Sequence, residues 1–126
     1  MRKIINALLV PLLLSACVTA APVAKNQKVE VRKLGQSEWQ SVQNAVRNNM
    51  KDSESARFGE YVAFKATDTD GVTIDIVCGY VNGKNSYGGY VGMTPYIATG
   101  LKGRYTANGP GEFYMRVCKS NYGISI

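Results

Sequence analysis

Tyr61-Val62-Ala63-Phe64-Lys65-Ala66, then Asp68-Thr69-Asp70-Gly71, then Val72-Thr73-Ile74-Asp75-Ile76-Val77-Cys78 is the stretch that decides the fold class. The first run reads as a strand. Asp-Gly readily supplies the positive φ values of a tight hairpin, so the middle segment reverses the chain. In the third run Val72, Ile74, Ile76 and Cys78 alternate with Thr73, Asp75 and Val77, which predicts a second strand with one buried face. The Asp68–Gly71 segment also begins like a calcium loop. The fifth position is Val72 and the twelfth is Gly79, however, and neither offers a side-chain oxygen, so no metal is expected there.

Working outward, Tyr87–Ile97 and Gly103–Ala107 hold further strand material, and Glu112–Lys119 reads as the last strand, carrying Cys118. Upstream, Ser37-Glu38-Trp39-Gln40 has the form of a capping box. Trp39, Val42, Ala45, Val46 and Met50 then recur at helical spacing, with Gln43, Arg47 and Asn48 on the other face. Lys51–Phe58 offers a second cap and a short helical turn, with Phe58 as its core anchor. Val29-Glu30-Val31 alternates as a short edge strand. The expected architecture is α+β, an N-terminal amphipathic helix packed on an antiparallel β-meander.

The 126 residues suit one domain, and 45% hydrophobic with 19% charged residues is a globular composition. There is no histidine. That excludes Ser-His-Asp and Cys-His nucleophilic schemes, histidine-containing zinc sites and a histidine general base.

The N-terminus carries a different signal. Met1-Arg2-Lys3 is basic, and Ile4–Leu14 is an apolar run too short to span a bilayer, which takes about 20 residues. It suits the hydrophobic region of an export signal. Leu14-Ser15-Ala16-Cys17 resembles the lipobox of bacterial lipoproteins. The resemblance implies cleavage before Cys17 and lipid attachment to it, and Val18 in the following position implies sorting to the outer membrane of a Gram-negative cell. The competing reading is an ordinary signal peptide cut near Thr19-Ala20-Ala21. The expected organisation is a leader at 1–16, a lipidated tether at 17–33 and a small domain at 34–126.

Removal of 1–16 takes away Arg2 and Lys3 and lowers the net charge from +6 to +4. Export argues against a nucleic-acid partner. The membrane, reached through the anchor, and an envelope protein or glycan remain as partners. Three cysteines become two once Cys17 is acylated, and in an oxidising compartment Cys78 and Cys118 are expected to form one disulfide.

Cys78-Gly79-Tyr80-Val81-Asn82-Gly83-Lys84-Asn85-Ser86-Tyr87-Gly88-Gly89-Tyr90-Val91-Gly92 is the most unusual stretch. Its Gly-Lys lacks the spacing and the following Ser/Thr of a phosphate loop. The structural reading is a hairpin loop with glycines at strained or closely packed positions. The functional reading is a recognition surface in which Lys84 and Asn85 offer hydrogen bonds and Tyr87 and Tyr90 offer aromatic faces. Asp52-Ser53-Glu54-Ser55-Ala56-Arg57-Phe58, taken with this stretch, resembles a pattern in small bacterial envelope proteins that pair an Asp-Pro-x-Ser-Ala-x-Phe segment with a Cys-Gly-x-Val-Asn-x-Lys-Asn segment; Ser53 stands where they carry Pro. The resemblance implies an envelope protein and no particular activity.

The leading expectation is thus a non-enzymatic outer-membrane lipoprotein whose domain binds another envelope component, with no cofactor. An inhibitor of a cell-wall hydrolase or of a phage receptor is the alternative, although a domain of +4 meets a basic lysozyme with unfavourable long-range charge. A small hydrolase would need two of Asp75, Glu60 and Glu112 brought about 5–10 Å apart.

Overall fold

The structure, a computed structural model, describes residues 28–126. The leader, Cys17 and the first part of the tether lie outside the described residues. In chain order the elements are β1 (Lys28–Arg32), α1 (Gln36–Arg47), a 3-10 turn (Ser53–Ser55), β2 (Arg57–Thr67), β3 (Thr73–Asn82), β4 (Thr94–Leu101), β5 (Arg104–Asn108) and α2 (Glu112–Tyr122). The five strands form one sheet in sequence order, antiparallel throughout. The short edge strand expected around Val29–Val31 is β1, so the sheet begins within the stretch read as tether.

The deciding hairpin forms as its residues dictate. Oδ1 of Asp68 accepts the N–H groups of Asp70 and Val72, both at 2.9 Å, and Gly71 takes φ +80°. The carboxylate is occupied by the turn itself. β2 and β3 then pair from Thr67↔Thr73 to Arg57↔Asn82, with a bulge between Phe58 and Tyr61.

β3 departs from the expected single buried face: Ile76, Val77 and Cys78 are all fully buried. On one side Ala63, Val77, Val81, Tyr96 and Ala98 form a core with Val42 and Val46 of α1. On the other, Phe64, Ala66, Ile76, Cys78 and Ile97 form a core with Cys118 of α2. Two helices on opposite sides remove the polar face that an alternating strand would otherwise present to water.

The second helix is a correction. Glu112–Lys119 is not a strand but most of α2, in which Tyr114, Met115, Val117, Cys118 and Tyr122 recur at helical spacing toward the second core. Gly123, at φ +69°, closes it: its N–H donates to the Lys119 carbonyl and that of Ile124 to the Cys118 carbonyl. Cys78 and Cys118 are joined as a disulfide with Cα atoms 6.4 Å apart, fastening α2 to β3. Two further expectations fail. The capping box is not used, since Gly35 is the N-cap of α1 and no side chain caps it. The strand expected from Tyr87 starts only at Thr94, because the preceding residues form a loop.

Candidate functional site

The loop between Asn82 and Thr94 holds the residues expected to make a recognition surface. It is built by its own polar side chains. Oδ1 of Asn85 accepts the N–H groups of Tyr87 at 2.9 Å and Gly89 at 3.2 Å, while the Asn85 N–H donates to the Gly89 carbonyl at 2.8 Å. Asn82 does the same at the base, accepting the Gly92 N–H at 3.0 Å. Gly88 and Gly92 supply positive φ values that an L side chain would resist. Lys84 and Tyr90 pair across the loop as an isolated antiparallel bridge.

The loop is also fastened to the 3-10 turn. Oγ of Ser55 accepts the Lys84 N–H at 2.9 Å, and the Tyr90 hydroxyl donates to the Ser55 carbonyl at 3.1 Å. Two cations approach the Tyr90 ring: the Arg57 guanidinium carbon is 4.2 Å from its centroid and the Lys84 ammonium 5.5 Å. Tyr87, by contrast, is 97% exposed at the tip, with Val91 at 62% and Met93 at 51% nearby in the loop. Of the four expected binding residues the structure therefore assigns Asn85 to holding the turn and Tyr90 to docking it. Tyr87 is free at its side-chain end, and the Lys84 ammonium is exposed while facing the Tyr90 ring.

Ser55, Arg57, Val91 and Met93 were not singled out for this surface by sequence. Ser55 and Arg57 lie about 30 residues upstream of the loop they support; the resemblance that pairs the two segments is the one signal linking them. Val91 and Met93 carried a signal, as apolar residues in a glycine-rich loop.

On the α1 side of the loop lies an open groove of about 270 Å3 whose lining includes Met50, Lys51, Val81, Lys84, Val91 and Thr94. At Gly83 the Met50 methyl packs where a Cβ would otherwise stand.

A second polar cluster sits at the start of α1. Nε of Arg32 donates to Asp75 at 3.0 Å, and its two terminal nitrogens grip the Glu38 carboxylate, with Nη1 to Oε1 at 3.2 Å. The Tyr105 hydroxyl donates to Oε2 of Glu38 at 3.1 Å. Hydrogen bonding from Arg32 holds the Glu38 carboxyl below its ordinary range and raises the arginine in turn. Burial, reinforced by Glu38, pushes the Tyr105 phenol up to about 12. The cluster ties β1, α1, β3 and β5 together and leaves no idle acid. Asp75 is thus held by Arg32, Glu60 and Glu112 are exposed on β2 and α2, and none of the three bonds to another.

Among the described residues no helix is long and apolar enough to cross a membrane, and no group of three or more Cys, Asp or Glu could hold a metal ion. No family model, curated protein or solved structure matches the chain.

Proposed function

We propose that this chain is a lipid-anchored, non-enzymatic protein of the bacterial outer membrane whose small domain, with α1 laid on the β-meander, binds another envelope component through the 83–93 loop. The observation that carries the reading is the loop's composition and setting. Exposed Tyr87, Val91 and Met93 stand beside Lys84 and Arg57 on a loop held by its own hydrogen bonds, so little order is lost when a partner docks. Aromatic, apolar and cationic groups on a pre-formed loop are the chemistry of a protein contact. The basic start, the apolar run and Leu14-Ser15-Ala16-Cys17 support the anchor.

Two experiments test the two parts. Cells fed labelled palmitate should label the protein, and Cys17→Ser should abolish the label; label retained on the variant would refute the anchor. A photo-crosslinking residue at Tyr87 should give discrete adducts in intact cells, while the same residue at exposed Val72 in the opposite hairpin should give none. Identical adduct patterns from both positions would refute the loop as the contact.

A further inference from the structure

The groove on the α1 side of the loop has a composition that narrows what can occupy it. Its walls are apolar at Met50, Val81 and Val91, and two cations, Lys51 and Lys84, stand on its lining. None of the nine acidic residues of the chain lines it, and among the described residues the only ion pairs are those of Arg32. Lys84 also faces the Tyr90 ring, a contact that neutralises no charge. The groove is therefore positive as well as apolar.

Several of its polar groups are already occupied. The Asn49 side chain donates to the Ala107 carbonyl, and the Asn85 oxygen accepts two backbone N–H groups. The N–H groups of Lys84, Asn85 and Val91 donate to Oγ of Ser55 and the carbonyls of Gly89 and Gly83. The apolar walls suit an aliphatic body, and the two lysines suit an anionic head.

We propose that this groove binds an aliphatic monocarboxylate, the free acid of a medium-length acyl chain, with the carboxylate between Lys51 and Lys84 and the chain along Met50, Val81 and Val91. Lys84 and Val91 are shared with the proposed contact, but Tyr87 does not line the groove, so crosslinking at Tyr87 and ligand binding in the groove test the two readings separately.

The test is a titration of the exported chain, carrying Cys17→Ser in place of the acylated cysteine, with sodium octanoate below its micelle concentration. The readout is the methyl NMR signals. Saturable shifts are expected at Met50, Val81 and Val91, with none at exposed Val31 or Leu101 elsewhere on the surface. Affinity should rise from hexanoate to octanoate by up to about fourfold for each methylene that enters the groove. Lys51→Gln with Lys84→Gln should weaken octanoate binding at least tenfold, whereas Lys119→Gln on α2 should leave it unchanged. Octanol should bind at least tenfold more weakly than octanoate. Non-saturating shifts, or shifts spread equally over Val31 and Leu101, would overturn the proposal, as would octanol equalling octanoate. Tighter binding of octyl phosphate would overturn the carboxylate assignment in favour of a phosphate head.

Discussion

At Gly79 the sheet has no room for a methyl group. The cross-strand partner is Tyr96, whose side chain lies over the glycine, so a Cβ at 79 would meet the tyrosine hydroxyl at 2.5 Å and a ring carbon at 2.7 Å. Gly100 and Tyr105 repeat the arrangement one strand further on. Each tyrosine fills the space its glycine leaves, as aromatic side chains do over glycines in twisted sheets. Gly79→Ala must displace a fully buried ring and is expected to lower stability by about 1–3 kcal/mol in urea unfolding, with the slope unchanged. Gly89→Ala is the control, because its added methyl would meet nothing nearer than 3.9 Å at an ordinary φ, and a change within about 0.5 kcal/mol is expected. Equal losses at both positions would refute the packing account. The residue scale also sets a pH dependence. Arg32 holds the Glu38 carboxyl below its unfolded value, so the stability this pair contributes is present above the ordinary carboxylate range and is lost as pH falls through the folded value. Glu38→Gln should therefore be less stable than the parent at neutral pH, and the two stability curves should converge in acid. A gap that persists undiminished at pH 2 would assign the role of Glu38 to packing.

At the scale of elements, α2 shows where local reading fails and what would have corrected it. Phe113, Tyr114, Val117 and Tyr122 are strand-favouring residue types, and by type alone the segment reads as β. The spacing of Tyr114, Met115, Val117, Cys118 and Tyr122 is helical, and Gly123 follows at the position of a left-handed cap, so period and punctuation pointed to a helix against composition. The deciding factor is tertiary: the second face of the sheet exposes Phe64, Ile76 and Ile97, and the helix covers it. The same cover explains why β3 lacks the single polar face its alternation suggested. The Cys78–Cys118 bond closes a loop spanning 40 residues across this layer. Replacing both cysteines with alanine should destabilise the domain by about 3–4 kcal/mol on the chain-entropy account. Because the bond fastens α2 itself to β3, its amides should lose hydrogen-exchange protection more than those of α1. Uniform loss across both helices would show that the bond acts on the whole domain and not on its second layer.

Across the whole molecule, topology sets the distance between the point where the chain enters the sheet and the surface it offers. Lys28 pairs with Thr67, and Thr67 with Thr73, so β1 begins at the Asp68–Gly71 end. β3 then runs its ten residues to Asn82, about 33 Å at the usual strand rise, before the 83–93 loop begins. The meander could be read from sequence because each strand pairs with its neighbour in order. The character of the loop could not. Tyr87 and Tyr90 are the same residue type three positions apart, yet one stands free and the other is fixed by Ser55 and flanked by Arg57, contacts made across more than 30 residues. That distance between entry point and loop yields a prediction about orientation. If the chain is anchored through Cys17 as proposed, the Asp68–Gly71 end should face the bilayer and the loop should face away, presented to a partner beyond the membrane surface. A fluorophore at Asp70→Cys on the anchored protein should be quenched by headgroup-labelled lipids more strongly than one at Tyr87→Cys. The segment between Cys17 and Lys28 reaches at most roughly 40 Å, so inversion would require it to be stretched almost fully along the length of β3, at a cost in chain entropy. Stronger quenching at position 87 would place the loop against the membrane. The exposed tyrosine, valine and methionine would then be an interfacial anchor, and the proposed protein contact would be refuted.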